Sequence, residues 1–216
     1  MFLGGDRDYN IYDVRGDSIQ IKTDGNIVSA RGSNVVLTGN KVLLEARNGS
    51  IGSAAQALNT QIGGVLTARA EFVYLTNQGN LTVDRITGSQ GLNLRVNGNL
   101  STSHQDGENL LGGVINLSTS GDAGTADAWV NMGNDGGNHV ITLDIGGNAW
   151  VGGLQGAQSH ADALVINTAT VGGTLHIDKA TDLTQTGNWQ LGGLDMVLGH
   201  NWNMNAGTQV TATHAL

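Results

Sequence analysis

Four glycine pairs set the rhythm of this sequence. Leu111-Gly-Gly-Val114, Val151-Gly-Gly-Leu154, Val171-Gly-Gly-Thr174 and Leu191-Gly-Gly-Leu194 stand 40, 20 and 20 residues apart. Asn131-Met-Gly-Asn134 keeps one glycine where a further pair would complete the period. Alternating apolar residues follow the pairs: Ile115 and Leu117, Leu175 and Ile177, Leu194 and Met196. A period of 20 is too short for a domain repeat. It is the length of one coil of a solenoid, which buries its apolar face only by stacking on its neighbours.

Composition supports short strands over helices. The chain has 216 residues, with 34 Gly and no Pro. At the usual frequency of about 5%, roughly eleven prolines would be expected. Gly costs about 1 kcal/mol against Ala per helical position. Runs such as Ile19 and Ile21, Leu81 and Val83, Leu92, Leu94 and Val96, and Ile141, Leu143 and Ile145 alternate with polar residues and end at Gly- and Asn-rich turns. This pattern predicts an all-β parallel β-helix with rungs of about 20 residues, stacked at roughly 4.8 Å. Proline is excluded because it removes a hydrogen-bond donor from the ladder between rungs. Gly-Asn corners are expected to supply positive φ. One continuous solenoid is expected, divided by composition into residues 1–104 and 105–216.

Charge and residue usage exclude several classes. The formal net charge is -8, and no Cys is present. Disulfides and thiolate metal sites are thereby excluded. Nucleic acid is not the expected partner, because its phosphates require Lys and Arg. No apolar run reaches the 18 or so residues of a membrane span, so no membrane insertion is expected. The start, Met1-Phe-Leu-Gly-Gly-Asp6, lacks the basic and apolar regions of a signal peptide. The missing address need not mean a cytosolic protein; it fits an internal piece of a longer exported chain equally well.

The stretch from Ile11 to Ser101 resembles the large secreted filamentous adhesins of Gram-negative bacteria. These are the filamentous-haemagglutinin-type proteins, including leukotoxin-like filamentous adhesins. The resemblance rests on Leu44-Glu-Ala-Arg-Asn-Gly-Ser-Ile-Gly-Ser-Ala54, Leu66-Thr-Ala-Arg-Ala70 and Val73-Tyr-Leu-Thr-Asn-Gln-Gly-Asn-Leu81. It implies a right-handed parallel β-helix, secretion with an outer-membrane partner, and a role in attachment. It supplies no catalytic residues.

Candidate contact residues fall into three groups. Arg15-Gly16-Asp17 is the tripeptide that integrins recognise, although Gly-Asp is also ordinary turn chemistry. Trp129, Trp150 and Trp189 are spaced 21 and 39 apart, close to the period, so they are expected near one column. There they would either stack on sugar rings or fill the rung interior. Asp162 and Asp182 would stack directly at a 20-residue rung, with Asp122 in the same column. Carboxylates so placed either fan into water or share a calcium ion, which takes 6–8 oxygens. His176 and Asp178 would project from one strand as a conceivable acid–base pair.

The β-helical polysaccharide hydrolases carry motifs such as Gly-His-Gly; Gly199-His200-Asn201 is the nearest fragment here. The reading that follows is a non-catalytic, cofactor-free adhesin segment, secreted or on the bacterial surface. Its partner would be a host-cell or matrix receptor or a glycan. The alternative is a polysaccharide-active enzyme or carbohydrate-binding module.

Overall fold

The computed structural model describes residues 1–133, 140–153, 163–180 and 182–213. The fold is all-β: parallel strands stack in a solenoid of about 9 turns with about 22 residues per turn. At roughly 4.8 Å per turn the stack is about 43 Å long. Pairing runs through the boundary between residues 104 and 105, since Leu100 pairs below with Leu81 and above with Ala123.

Two long sides run the length of the rod. On the first, Leu3, Ile21, Leu44 and Ala68 stand in register, and further up Ala123, Ala149, Leu175 and Leu194 do the same. On the second, Ile27, Ile51, Val73, Leu92, Ile115 and Ile141 form one buried column. Each column is inward because successive strand residues face opposite ways, and a run such as Val114–Thr119 alternates exposed and buried along its length.

A third, short side changes place. Near the start it follows the second long side, where Val14–Arg15 pairs with Leu37 and Thr38, and these with Thr60 and Gln61. Near the end it follows the first long side, where residues 163–166, Asp182–Gln185 and Trp202–Met204 stack. Between them the rung shortens to 17 residues, from Val65 to Thr82. Asn77, fully buried, closes that corner. Its Oδ1 accepts hydrogen bonds from Ile62 N at 2.8 Å and Thr60 Oγ1 at 2.9 Å, and its Nδ2 donates to Asn80 O at 3.2 Å.

The rung length departs from the expected constant 20. It spans 17 residues at Val65–Thr82 and 26 at Ile115–Ile141. The glycine pairs therefore do not form one column. Gly192 backs onto the carbonyls of Gly172 and Gly173, and Gly172 lies against Gly146. Gly152, however, faces Asn131 Oδ1 and Asp178 O, and Gly112 faces Gly88 O.

The Gly-Asn corners also work differently from expectation. Positive φ occurs at Gly79 but not at Gly25, Gly98, Gly147 or Gly187. The asparagines instead hold up the next rung. Asn80 Oδ1 accepts from Asn99 N, Asn99 Oδ1 from Asp122 N, Asp122 Oδ1 from Asn148 N, and Asn148 Oδ1 from Thr174 N, at 2.7–2.9 Å. Each rung thus satisfies a backbone donor that its turn would leave unpaired. Glycine precedes these positions for want of room: a Cβ on Gly121 or Gly147 would overlap the side chain of Asn99 or Asp122 beneath.

Candidate functional site

Two excursions from the first long side carry a connected set of polar side chains. The chain leaves the sheet after Leu100–Thr102, crosses residues 103–109, and returns at Leu110–Gly112. One turn later it leaves after Ala123 and returns at Val130–Gly133. Gln105 ties the two loops together: Trp129 N donates to its Oε1 at 2.9 Å, and its Nε2 donates to Trp129 O at 3.2 Å. Asn109, fully buried, anchors the first loop from within. It donates to Asp84 O and His104 O and accepts from Asn131 N at 3.0 Å. At Gly107 the φ of 138° requires glycine.

Below the loops Asp84 is a hub. Thr67 Oγ1 donates to its Oδ2 at 3.0 Å and Ser103 Oγ to its Oδ1 at 3.2 Å. His104 Nδ1 lies 3.2 Å from the same Oδ1, close enough for attraction but off the line of a hydrogen bond. Serine, histidine and aspartate thus meet, yet serine and histidine both face the carboxylate. Proton transfer from a serine nucleophile needs the imidazole to face the hydroxyl, and this arrangement does not provide it. Beside the hub runs an open groove of about 400 Å³, lined among others by Gln20, Lys41, Leu43, Thr67 and Ser103.

Above the loops, Trp150 and His176 are register partners with rings stacked at 5.0 Å and 6°. Asp195, next in that column, takes the imidazole Nδ1 at 3.1 Å through its Oδ2. The carboxylate accepts, so Nδ1 carries the proton. The expected partner of His176 was Asp178; the bond runs to the following rung because register places Asp195 beside the ring.

The expected tryptophan column is split. Trp129 and Trp150 immediately precede the register partners Val130 and Val151, so they belong together. Trp129 is half-buried, with its Nε1 donating to Ala126 O at 3.0 Å. Trp189 belongs to the second long side instead, between Ala169 and Val210, and is 1% exposed. Its ring meets Trp202 at 6.1 Å. Trp189 is therefore core, and one face of Trp150 is covered by His176.

Arg15, Gly16 and Asp17 are exposed but held flat at a corner. Arg15 Nε donates to Asp13 at 2.9 Å, Gly16 N donates to Thr38 O at 3.1 Å, and Asp17 Oδ1 accepts from Asn40 Nδ2 at 2.7 Å. That bond to Arg15 holds the Asp13 carboxyl below its ordinary value and raises the guanidinium in return. Asp162 lies outside the described residues. Asp182 is in register with Ala163, and its Oδ1 accepts from Asn201 N at 2.9 Å. Asp122 is not in that column; it is a member of the asparagine ladder. Unequal rung lengths thus take Asp122 out of the column expected for it. Among the described residues no three His, Asp or Glu side chains gather as a metal ion would require.

Sequence reasoning did not single out Asp84, His104 or Asn109. Their only signal is the break in alternation after Thr102, which marks the loop but not what it packs on. No family model, curated protein or solved structure matches the chain.

Proposed function

We propose that this chain is a non-catalytic shaft segment of a secreted or surface-exposed bacterial filamentous adhesin. In this reading rung stacking turns sequence length into reach, and outward side chains repeated along the rod make weak multivalent contacts with a host-cell receptor, matrix protein or glycan. The observation that carries the reading is the continuity of the two long sides, with one core reaching from Ile11 to Leu191. The polar clusters on the surface support it as well, since their groups are turned onto one another. The parent chain would leave the cell with the help of an outer-membrane partner.

The test is binding of the folded chain to epithelial cells and a glycan panel, with Asp17→Glu in parallel. Saturable binding that survives Asp17→Glu is the expected result. Loss in that variant would move recognition to the Arg15–Asp17 corner. Release of sugar products from a polysaccharide panel would overturn the non-catalytic reading, and no binding by a folded chain would overturn the adhesive one.

A further inference from the structure

The sequence contains the steps Asn48-Gly49 and Asn97-Gly98, and stacking demands the glycine in both. A Cβ on Gly49 would lie 2.7 Å from the carbonyl of Gly25 beneath it, and one on Gly98 would lie 2.6 Å from the carbonyl carbon of Gly79. Each step thus joins a thermolabile amide to a residue with no side chain to shield its backbone nitrogen.

Both asparagines are exposed, but their side chains are held differently. Asn97 ends the strand Leu81–Asn97 and is tied at both side-chain atoms. Its Nδ2 donates to Gln78 Oε1 at 2.9 Å, and its Oδ1 accepts from Arg95 Nε at 3.4 Å. Asn48 lies between the strands Leu37–Ala46 and Ser50–Ile51, and its side chain bonds to none of the described residues. Only the backbone of this corner is fixed: Asn48 N donates to Asp24 O at 3.1 Å and Glu71 N to Gly49 O at 2.9 Å. Gly49 N has no partner among the described residues.

We propose that Asn48 is a site of spontaneous deamidation in the folded rod, and that its two side-chain bonds protect Asn97. Gly49 N attacks Asn48 Cγ and closes a cyclic succinimide. The Cγ–Nδ2 bond breaks, and ammonia leaves with the proton that Gly49 N gives up. Water then opens the ring at either carbonyl, to give aspartate or isoaspartate. The free amide of Asn48 turns onto the nitrogen without breaking a contact, whereas that of Asn97 must first release Gln78 and Arg95. The product sets a carboxylate above Asp24, because Gly49 sits on Gly25, and like charges so placed repel. Isoaspartate also adds a carbon to the backbone next to Ser50, whose N–H is held by Asn26 Oδ1 at 2.8 Å. The corner therefore carries a slow, irreversible loosening of one rung from the next. This goes beyond the adhesin reading and does not depend on it.

Peptide mapping by mass spectrometry tests it on the folded chain aged in warm, mildly alkaline buffer. The Asn48 peptide is expected to gain the mass difference between an amide and a carboxyl and to split into two chromatographic isomers. It should do so about tenfold faster than the Asn97 peptide, whose bonds must open first. Gln78→Ala, which frees Asn97 Nδ2, is expected to narrow that ratio, and in denaturant the two steps are expected to convert at similar rates. Hydrogen exchange at Ser50 and Glu71 is expected to rise in the aged chain and to stay unchanged in aged Asn48→Gln. The proposal is overturned if Asn48 stays intact, or if Asn97 keeps pace with it in the folded chain. The same ratio in denaturant also overturns it, since the difference would then belong to the flanking sequence and not to the fold.

Discussion

At the residue scale, asparagine carries two duties here. On the surface ladder it supplies an acceptor one rung up; at Asn77, Asn109 and Asn131 it is buried and closes corners where the sheet pattern lapses. Both uses answer the same demand, that backbone groups out of water be paired. Asn99 tests it. Asn99→Ala leaves Asp122 N without its partner, and an unsatisfied buried donor costs about 1–3 kcal/mol. The half-exposed corner places the expected loss in chemical denaturation near 1 kcal/mol. Asn99→Asp keeps the oxygen, as Asp122 itself does one rung higher, and is expected to lose less than half as much.

At the scale of elements, neighbouring strands on the first long side are joined by charge as well as by backbone. Glu45, on Leu37–Ala46, meets Lys22 of Ser18–Thr23 at 2.9 Å and Arg47 at 3.1 Å. Hydrogen bonding to Lys22, then to Arg47, holds the Glu45 carboxyl below its ordinary value. A carboxyl whose pKa is lower folded than unfolded stabilises the fold above the unfolded value, near 4.3, and that stabilisation fades as pH falls through the folded one. Glu45→Gln is therefore expected to cost up to about 1 kcal/mol at pH 7, as partly exposed pairs do. The difference from the unsubstituted chain should shrink between pH 7 and an acid pH below the folded value. Denaturation midpoints at the two pH values check this; an equal loss at both would assign the effect to packing.

At the scale of the whole molecule, stability is a sum of rung and interface terms. Interior turns have two neighbours and end turns one, so opening is expected to begin at the ends. Hydrogen exchange should show strongest protection for the inward positions of Leu81–Asn97 and Val114–Thr119, falling toward Phe2–Gly5 and Val210–Ala212. Uniform protection from end to end would mean that the rod opens as one cooperative unit.

How much of this is legible in the sequence varies with the kind of interaction. Alternation within a strand is local: inward residues such as Leu92, Leu94 and Val96, or Ile141, Leu143 and Ile145, are all buried as their spacing implies. Coil length near 20, absence of proline and glycine at corners likewise follow from what one rung requires of the next. These features determined an all-β solenoid. What the sequence could not determine is which residue stands on which. Parallel ladders bond at fixed spacing in space, while extra residues loop out at corners without disturbing the pairs on either side. An offset of 20 in sequence is therefore 19 at Ala163 and Asp182 but 26 at Ile115 and Ile141. Only the tertiary structure settled that Trp189 belongs to the core, that Asp122 joins the asparagine ladder rather than Asp182, and that the loop of residues 103–109 closes over Asp84. Each depends on register between rungs, which is set by the sum of all inserted lengths and not by any local pattern.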